Sequence, residues 1–169
     1  LVALGRSSIY GPLEVAEGMK ILSLAGLKTH EVLSALVPTL NLALAGTTDV
    51  KTAADVLVSI TTAFGTGAAG FRDASDIIVR AAADSKASVE SIGEAMKTAS
   101  VVGEQYGASL TDVGALTAML ANLGIQGSAA GTAIRNLFVD MSERTPKTAK
   151  IMKQLGLDFR DAATGGVKP

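Results

Sequence analysis

The sequence predicts an all-α fold, a compact bundle or array of about seven to nine short helices with Ala- and Gly-rich packing and no sheet. Three observations predict it. Apolar residues recur at spacings of three and four, which place them on one face of a helix. Capping residues precede these stretches and glycines follow them. No pair of segments shows the alternating pattern of paired strands.

The composition excludes several classes of protein. The chain has 169 residues, of which 48% are hydrophobic and only 4% aromatic, with 18 Gly and no Cys. A mean hydropathy of +0.37 and a net charge of −1 are not those of a disordered chain. The absence of Cys excludes a disulfide scaffold and a Cys-based metal site. No overall positive charge is available to hold a nucleic-acid backbone.

The first two helices are predicted from Pro, Gly and an apolar segment. Pro12 stands at the start of a helix that Gly26 ends. The segment 29–45 is apolar nearly all round, which is typical of a central, buried helix. Pro38 lies inside this segment and removes one backbone hydrogen bond, so we expect a kink or a break near Val37.

The next helices begin at residues that cap well. Asp49 opens a helix that Gly65 ends, and Ser88 precedes another; between them, a helix is predicted over 73–83. The predicted buried face of the Asp49 helix consists of Val50, Ala53, Ala54, Leu57, Ile60, Thr61 and Phe64.

The last helices follow similar signals. Ser109 and Asp112 form a predicted capping box for a helix that Gly124 ends, and Ser128 is expected to cap the next helix. The buried face of that helix is predicted to be Ala130, Ala133, Ile134, Leu137 and Met141. A final helix is expected from Thr145-Pro146 to about Gly156. It carries a basic row, which either holds an acidic partner or is a solvated face: Lys147, Lys150 and Lys153.

A stretch of 22 uncharged residues, Val113–Ile134, is long enough to cross a bilayer. Turn signals at 122–124 and 127–128 predict instead that it forms two helices.

The segment Gly65–Gly70 satisfies the glycine pattern of dinucleotide-binding loops. It follows a β-branched run, 56–62, and Asp84 stands about 20 residues further on. That mechanism requires a strand before the glycines, whereas the preceding residues have helical spacing. A flexible Gly-rich connector is the better interpretation.

No other group of residues predicts a catalytic, cofactor or metal site. His30 is the only histidine, and the zinc-protease pattern that it begins is not completed, because position 34 is Ser. Two acidic pairs, 90 with 94 and 73 with 76, lie one helical turn apart, as acid/base work would require. We expect them to be solvated, since nothing indicates an apolar pocket around them.

One block carries a family resemblance. Residues 124–135 resemble the signature of the core region of phage tail tape measure proteins, in which a glycine, Ser, Ala-Gly-Thr and Arg follow a short helix. The motif residues are Gly124, Gly127, Ser128, Gly131, Thr132 and Arg135. Segments 110–116 and 155–158 fit the family as well. Gln126 stands where a basic residue is usual, and Ile134 where Leu is common.

The resemblance divides the chain into three parts. It covers residues 13–166, which would be the helical core region. Residues 1–12 would be a leader segment or a linker from a longer chain, and 167–169 a cut end.

The resemblance implies a structural component of a bacteriophage or prophage tail, not an enzyme and without a cofactor. Such a protein sets the length of the tail tube, aids tail assembly and lies inside the tube, after assembly in the bacterial cytoplasm. Its implied partners are other copies of itself, the tail tube protein, tail assembly chaperones, and tail tip or baseplate proteins. The parent chain would contact a membrane during infection, and no specific nucleic acid is implied.

Two rival classes stay open at the level of the sequence. A membrane-active or secreted-toxin-like helical protein would also be rich in Ala and Gly and free of Cys. An enzyme is the other, and it would require the Gly65–Gly70 loop to lie before a helix at the end of a strand.

Two interpretations of one motif residue stay open as well. Arg135 is expected to contact a neighbouring copy or a tube subunit, or else to make a local tie to a carbonyl or carboxylate.

Overall fold

A computed structural model describes residues 11–142, and the side chains of 11–140. This part of the chain consists of α-helices joined by short turns, and it contains no strand. The all-α prediction is therefore confirmed. The helices are α1 (Pro12–Leu24), α2 (Thr29–Gly46), α3 (Val50–Ala63), α4 (Phe71–Ala83), α5 (Val89–Gln105), α6 (Leu110–Asn122) and α7 (Gly127–Ser142), with a short 3-10 helix (Gly67–Gly70) between α3 and α4. The helix predicted from Thr145, with its basic row, lies outside the described residues.

The predicted N-caps of three helices are confirmed. The amide of Thr52 donates to Asp49 Oδ1 at 2.8 Å, and the amide of Ser91 donates to Ser88 Oγ at 3.1 Å. Ser109 and Asp112 form the capping box of α6, with each backbone amide donating to the side chain of the other. Hydrogen bonds from Thr52, with its backbone amide first, hold the pKa of Asp49 below its ordinary value.

Five of the described helices end in a Schellman motif, in which one residue adopts a left-handed conformation and two amides bond back to the last turn. These residues are Gly26, Thr47, Gly65, Gly107 and Gly124. At the end of α6, the amide of Gly124 donates to Ala121 O at 3.0 Å, and that of Ile125 to Leu120 O at 2.9 Å. The helices are short because these local signals stop them.

Of the kink or break expected near Val37, the break is wrong, since α2 runs as one helix from Thr29 to Gly46 with Pro38 inside it. Proline removes only the bond to the carbonyl of Ser34, and the helix on both sides of it is held by burial of Leu36 and Leu40. The buried hydroxyl of Ser75 in α4 also donates to the carbonyl of Pro38, at 3.4 Å. Packing therefore outweighs the loss of one helical hydrogen bond.

The helices form a layered array. α1 packs against α2 and α3, α4 contacts α2, α3, α5 and α6, α3 also packs directly against α5, and α7 packs against α5 and α6. Alanines fill much of the shared core and let the helix axes approach closely: Ala35, Ala43, Ala53, Ala54, Ala74, Ala95, Ala99, Ala121 and Ala130 are all buried.

Two predicted faces need correction. α2 is central, but it is not buried all round, because Leu33, Val37 and Leu44 are exposed on one side. In α7, Leu137 is 43% exposed, whereas Phe138, which was not predicted, is 4% exposed. The face of α7 is rotated toward α5, and a helical pattern alone cannot show which neighbour a helix will meet.

The uncharged stretch Val113–Ile134 is divided between α6 and α7, as predicted. No single helix in the described part of the chain has the length and apolar content to cross a membrane. One bent pair, Val50–Ala63 with Gly67–Ala83 at 115°, satisfies both criteria jointly.

Candidate functional site at the α5–α7 seam

The motif residues lie at the start of α7 and along its contact with α5, a surface that we call the α5–α7 seam. Gly127 lies beside Ser91, Gly131 beside Ala95 and Thr98, and, further along, Phe138 beside Gly103. The numbers of the contacting residues increase in the same direction along both helices. α5 and α7 are therefore parallel and in direct contact, and α6, which joins them in sequence, runs in the opposite direction.

Gly131 is the point of closest approach in the seam. A Cβ atom added there would lie 2.6 Å from the carbonyl oxygen of Ala95 and 2.6 Å from the Cβ of Thr98. The carbonyl oxygen of Ala95 is part of the backbone of α5, and the Cβ of Thr98 is bonded directly to that backbone. Neither atom can move aside unless the helix shifts. The motif requires glycine here because no side chain fits between the two helices.

The turn before α7 is fixed by its backbone and by two side chains. Gly124 has a φ of 88° and Gly127 a φ of 58°, in the region that favours glycine. The side-chain amide of Asn122 donates to the carbonyl of Asp84 at 3.2 Å, and that of Gln126 to the carbonyl of Lys86 at 3.3 Å. We call these two bonds the amide clamp. They hold the α6–α7 turn against the loop between α4 and α5.

The two hydroxyls of the motif point to different partners. Ser128 Oγ donates to Glu94 Oε1 across the seam at 3.3 Å, and Thr132 Oγ1 donates to the carbonyl of Ser128 at 2.8 Å. The prediction that Ser128 caps α7 is wrong, since the helix already begins at Gly127. Ser128 instead ties the first turn of α7 to α5.

Arg135 lies on the exposed side of α7. Among residues 11–140, whose side chains the structure describes, none forms an ion pair with its guanidinium or accepts a hydrogen bond from it. Within the described residues, the local tie that was considered for Arg135 is not made. Its guanidinium is presented to solvent and to whatever approaches α7.

Two aromatic rings close the far end of the seam. Phe138 stacks on Tyr106, with ring centroids 6.5 Å apart and planes at 12°. Sequence reasoning missed Phe138 and the amide clamp. The aromatic residue next to a predicted buried position was the available signal for Phe138. No local pattern indicates the clamp, because its acceptors are about 40 residues away in sequence.

The other candidate sites are not assembled by the fold. A helix, not a strand, precedes Gly65–Gly70, and the segment connects α3 to α4, with a 3-10 helix at Gly67–Gly70. Gly70 is buried, and the turn packs against α2, α3 and α4. His30 is exposed, as are Glu90 and Glu94. No group of three or more His, Asp or Glu side chains within 11–142 is arranged to hold a metal ion.

The residues of the seam serve to pack two helices together, and their polar groups are not arranged as reactive groups are in a catalytic site. Its polar groups bond to one another or to backbone carbonyls, and its glycines set the distance between two helices. Such an arrangement positions α7 and the exposed Arg135 rigidly. It is suited to contact with another protein.

Comparison with known proteins places the chain. The family model for phage-related minor tail proteins matches residues 3–169. A tape measure protein of Pneumococcus phage Dp-1 is 34% identical over 161 residues, which are 95% of this chain but 14% of the relative. No solved structure gives a significant match. Because the family model covers nearly all of the sequence, this chain belongs to the phage-related minor tail protein family.

Proposed function

We propose that the chain is the core segment of a tape measure protein, which sets the length of the tail tube and aids tail assembly. The observation that carries the proposal is the 34% identity to a phage tape measure protein over 95% of the chain. It is supported by the seam, where glycines at 124, 127 and 131 each have a conformational or packing reason. The role is structural and requires no enzyme activity and no cofactor.

The fold suggests how this segment differs from a measuring rod. As one uninterrupted helix, 169 residues would extend roughly 250 Å. The longest described helix has 18 residues, or about 27 Å, and short turns separate it from the helices on either side. The segment therefore acts as a folded module. Most of the length would be measured by other parts of the parent polypeptide, since this chain spans only 14% of its relative.

Residues 13–166 would form this module, with 1–12 as a leader or linker and 167–169 as a cut end. It would lie inside the tail tube of the virion after assembly in the host cytoplasm. The expected partners are other copies of the chain, the tail tube protein, tail assembly chaperones, and tail tip or baseplate proteins. Contact with a membrane would belong to the parent chain during infection, and no specific nucleic acid is expected.

Arg135 is the residue that we assign to a partner contact. It is exposed, its guanidinium has no partner among the described side chains of 11–140, and the seam fixes the helix that carries it. A guanidinium with free donors suits a carboxylate or a carbonyl on a neighbouring copy or tube subunit. The membrane-active alternative is not favoured, because the matched relatives are tail proteins.

The proposal is tested by electron microscopy of particles assembled with altered parent polypeptide. Deletion of this segment is expected to abolish tail assembly, because a folded module is lost. A deletion of equal size in a long regular helix of the parent is the control, and it should shorten the tail in proportion. Tails of normal length and number without the segment would refute the proposal.

A further inference from the structure

The exposed side of α7 carries opposite charges at its two ends. Ser128 and Arg135 are both exposed and stand seven residues apart, so they lie on nearly one line along the helix, about 10 Å apart. The carboxylate of Glu94 on α5 accepts a hydrogen bond from Ser128 Oγ at 3.3 Å. Glu90, one turn earlier on α5, is exposed as well. Negative charge therefore lies beside the first turn of α7, and a positive charge lies two turns further on.

Neither Arg135 nor Glu94 is neutralised by an ion pair within the described side chains of 11–140. The ion pair that these side chains form joins Lys97 to Asp55. In the sequence from 98 to 143, Arg135 is the only Lys or Arg. The guanidinium at one end of the face and the carboxylate at the other are therefore both available to a second molecule.

The middle of this face carries short side chains. Ala129 and Thr132 are exposed between the two charges. The hydroxyl of Thr132 already donates to the carbonyl of Ser128 at 2.8 Å, so it requires no partner from another molecule. How closely two helix axes approach depends on the side chains at the contact. A second helix can therefore come close to α7 here.

The order of these groups is self-complementary. Thr132 stands close to the midpoint between Ser128 and Arg135 in the sequence. A two-fold axis that passes beside Thr132 places the α7 helices of two copies antiparallel to each other. Arg135 of each copy then faces Glu94 of the other copy. A contact of this kind is isologous, since both copies use the same surface.

We propose that two copies of the chain pair through the exposed side of α7, with Arg135 of each copy bound to Glu94 of the other. This inference rests on the partner contact proposed for Arg135, and it names the partner and the carboxylate. The carboxylate and the guanidinium occur on one face, so a second copy is complementary to it in the antiparallel orientation. A parallel orientation would bring like charges together, which is unfavourable.

The charges orient this contact more than they strengthen it. An exposed pair of a guanidinium and a carboxylate stabilises little, because water competes for both groups and salt screens them. The association is therefore weak for the isolated chain, and it falls as the salt concentration rises. Copies held together in one tail would reach a high effective concentration, at which a weak contact is occupied.

Charge reversal tests the pairing directly, with sedimentation of the 169-residue chain at low ionic strength as the measurement. Arg135→Glu and Glu94→Arg are each expected to raise the dimer dissociation constant at least about tenfold, because each variant creates two pairs of like charge. An equimolar mixture of the two variants should associate about as tightly as the unaltered chain, since both pairs are then of opposite sign.

Two matched controls change the same charges elsewhere. Arg80→Glu and Glu17→Arg should leave the association unchanged, because both residues are exposed and lie on α4 and α1, which are not among the helices that pack against α7. A mixture of Arg135→Glu and Glu94→Arg that associates no better than either variant alone would overturn the inference. So would unchanged association of both single variants, or a strict monomer at high concentration.

A cysteine beside the axis tests the symmetry. The chain has no Cys of its own, so Thr132→Cys introduces a single thiol. Equivalent positions of two copies meet only at a two-fold axis, where a disulfide can form. Under oxidised glutathione, Thr132→Cys is expected to link two copies about tenfold faster than Met119→Cys, which is 63% exposed on α6. Equal rates would contradict the two-fold contact.

Failure of this inference is distinguishable from failure of the proposed function. Electron microscopy of particles without the segment decides the role in the tail. If the mixed variants do not associate but deletion of the segment still abolishes tail assembly, only the pairing through α7 is wrong. If tails are normal without the segment, the proposed function fails whatever the chain does in solution.

Discussion

Two glycine-rich segments of this molecule have the same order of glycine conformations but pack against different parts of the structure. In Gly65–Gly70 and in Gly124–Gly131, a left-handed glycine ends one helix, a second left-handed glycine is the first residue of the next helical segment, and a third glycine is buried. The last glycine differs in its surroundings. A Cβ at Gly70 would meet the side chain of Thr66 in its own turn, whereas a Cβ at Gly131 would meet the backbone of another helix.

The comparison shows that glycine spacing by itself does not identify a function. The first segment matches a nucleotide-binding pattern and forms a local turn. The second matches no chemical motif and sets the distance between α5 and α7. What separates them is the neighbour of the third glycine, which is a property of the fold.

The largest expected effect is at this third glycine. Gly131→Ala is expected to lower the free energy of unfolding by about 1–3 kcal/mol, because its methyl group would overlap the backbone of α5. Gly70→Ala should cost less, because Thr66 Oγ1 can rotate away and the exposed turn that carries Thr66 Cβ can shift, whereas Gly131 meets the carbonyl oxygen of a packed helix. Urea unfolding of both variants checks this order. Equal costs would erase the distinction between the two segments.

The left-handed glycines should behave alike in both segments. Gly65→Ala and Gly124→Ala are each expected to cost about 1–2 kcal/mol, since φ is 64° and 88° and neither added Cβ has a neighbour within 4 Å. The cost is therefore one of backbone conformation alone. Thermal unfolding of the pair provides the measurement. A cost at one position only would mean that unequal packing also contributes.

The helices that lead into the two segments differ in the charge of their N-caps. Asp49→Ala at the start of α3 is expected to cost about 1 kcal/mol at neutral pH. The pKa of Asp49 is lower in the folded chain than its ordinary value of 3.8, so the ionised carboxylate stabilises the fold. This contribution is full above the unfolded pKa and is lost as the pH falls through the folded pKa.

The pH dependence of unfolding for Asp49→Ala and for Ser109→Ala checks this difference. The cost of Asp49→Ala should shrink in acid as its own carboxylate is protonated. The side chain of Ser109, which caps α6, is a hydroxyl and carries no charge. A cost of Asp49→Ala that is constant down to pH 2 would contradict the charged cap.

The smallest expected effect concerns the amide clamp, which has no counterpart at Gly65–Gly70. Asn122→Ala should cost about 0.5–1 kcal/mol, because one exposed hydrogen bond to Asp84 is lost. Hydrogen exchange of the amides at 123–127 should accelerate with it. Thr66→Ala provides a comparison in the other segment. If exchange at 123–127 does not change, the clamp does not hold the turn.

The helix ends could be predicted from the sequence because the signals that fix them are local. Asp49, Ser88 and Ser109 bond to amides three residues away, and Gly124 requires only its own backbone conformation. The packing of the helices could not be predicted in the same way. Pro38 sits in an unbroken helix because residues of α4 and the core support it, and they are distant in sequence.

The residues of the site could be predicted from the sequence, but their arrangement in space and their bonding partners could not. The motif at 124–135 was identified by its resemblance to a family, and the fold gives Gly131 its reason through Ala95 and Thr98. Ser128 was assigned to a cap because serine is common there, yet Glu94 on α5 is within reach and accepts its hydrogen bond. Which partner a polar group chooses depends on the neighbouring helix, which periodicity does not reveal.

The central claim, that this segment lies inside a phage tail as part of a tape measure protein, is tested most directly by protease protection. Purified intact tails are treated with protease, and peptides from residues 1–169 are quantified by mass spectrometry before and after the tails are opened with denaturant. The account predicts that these peptides survive in intact tails and are cleaved in opened ones. Their cleavage at the same rate in intact tails, or their absence from purified tails, would contradict it.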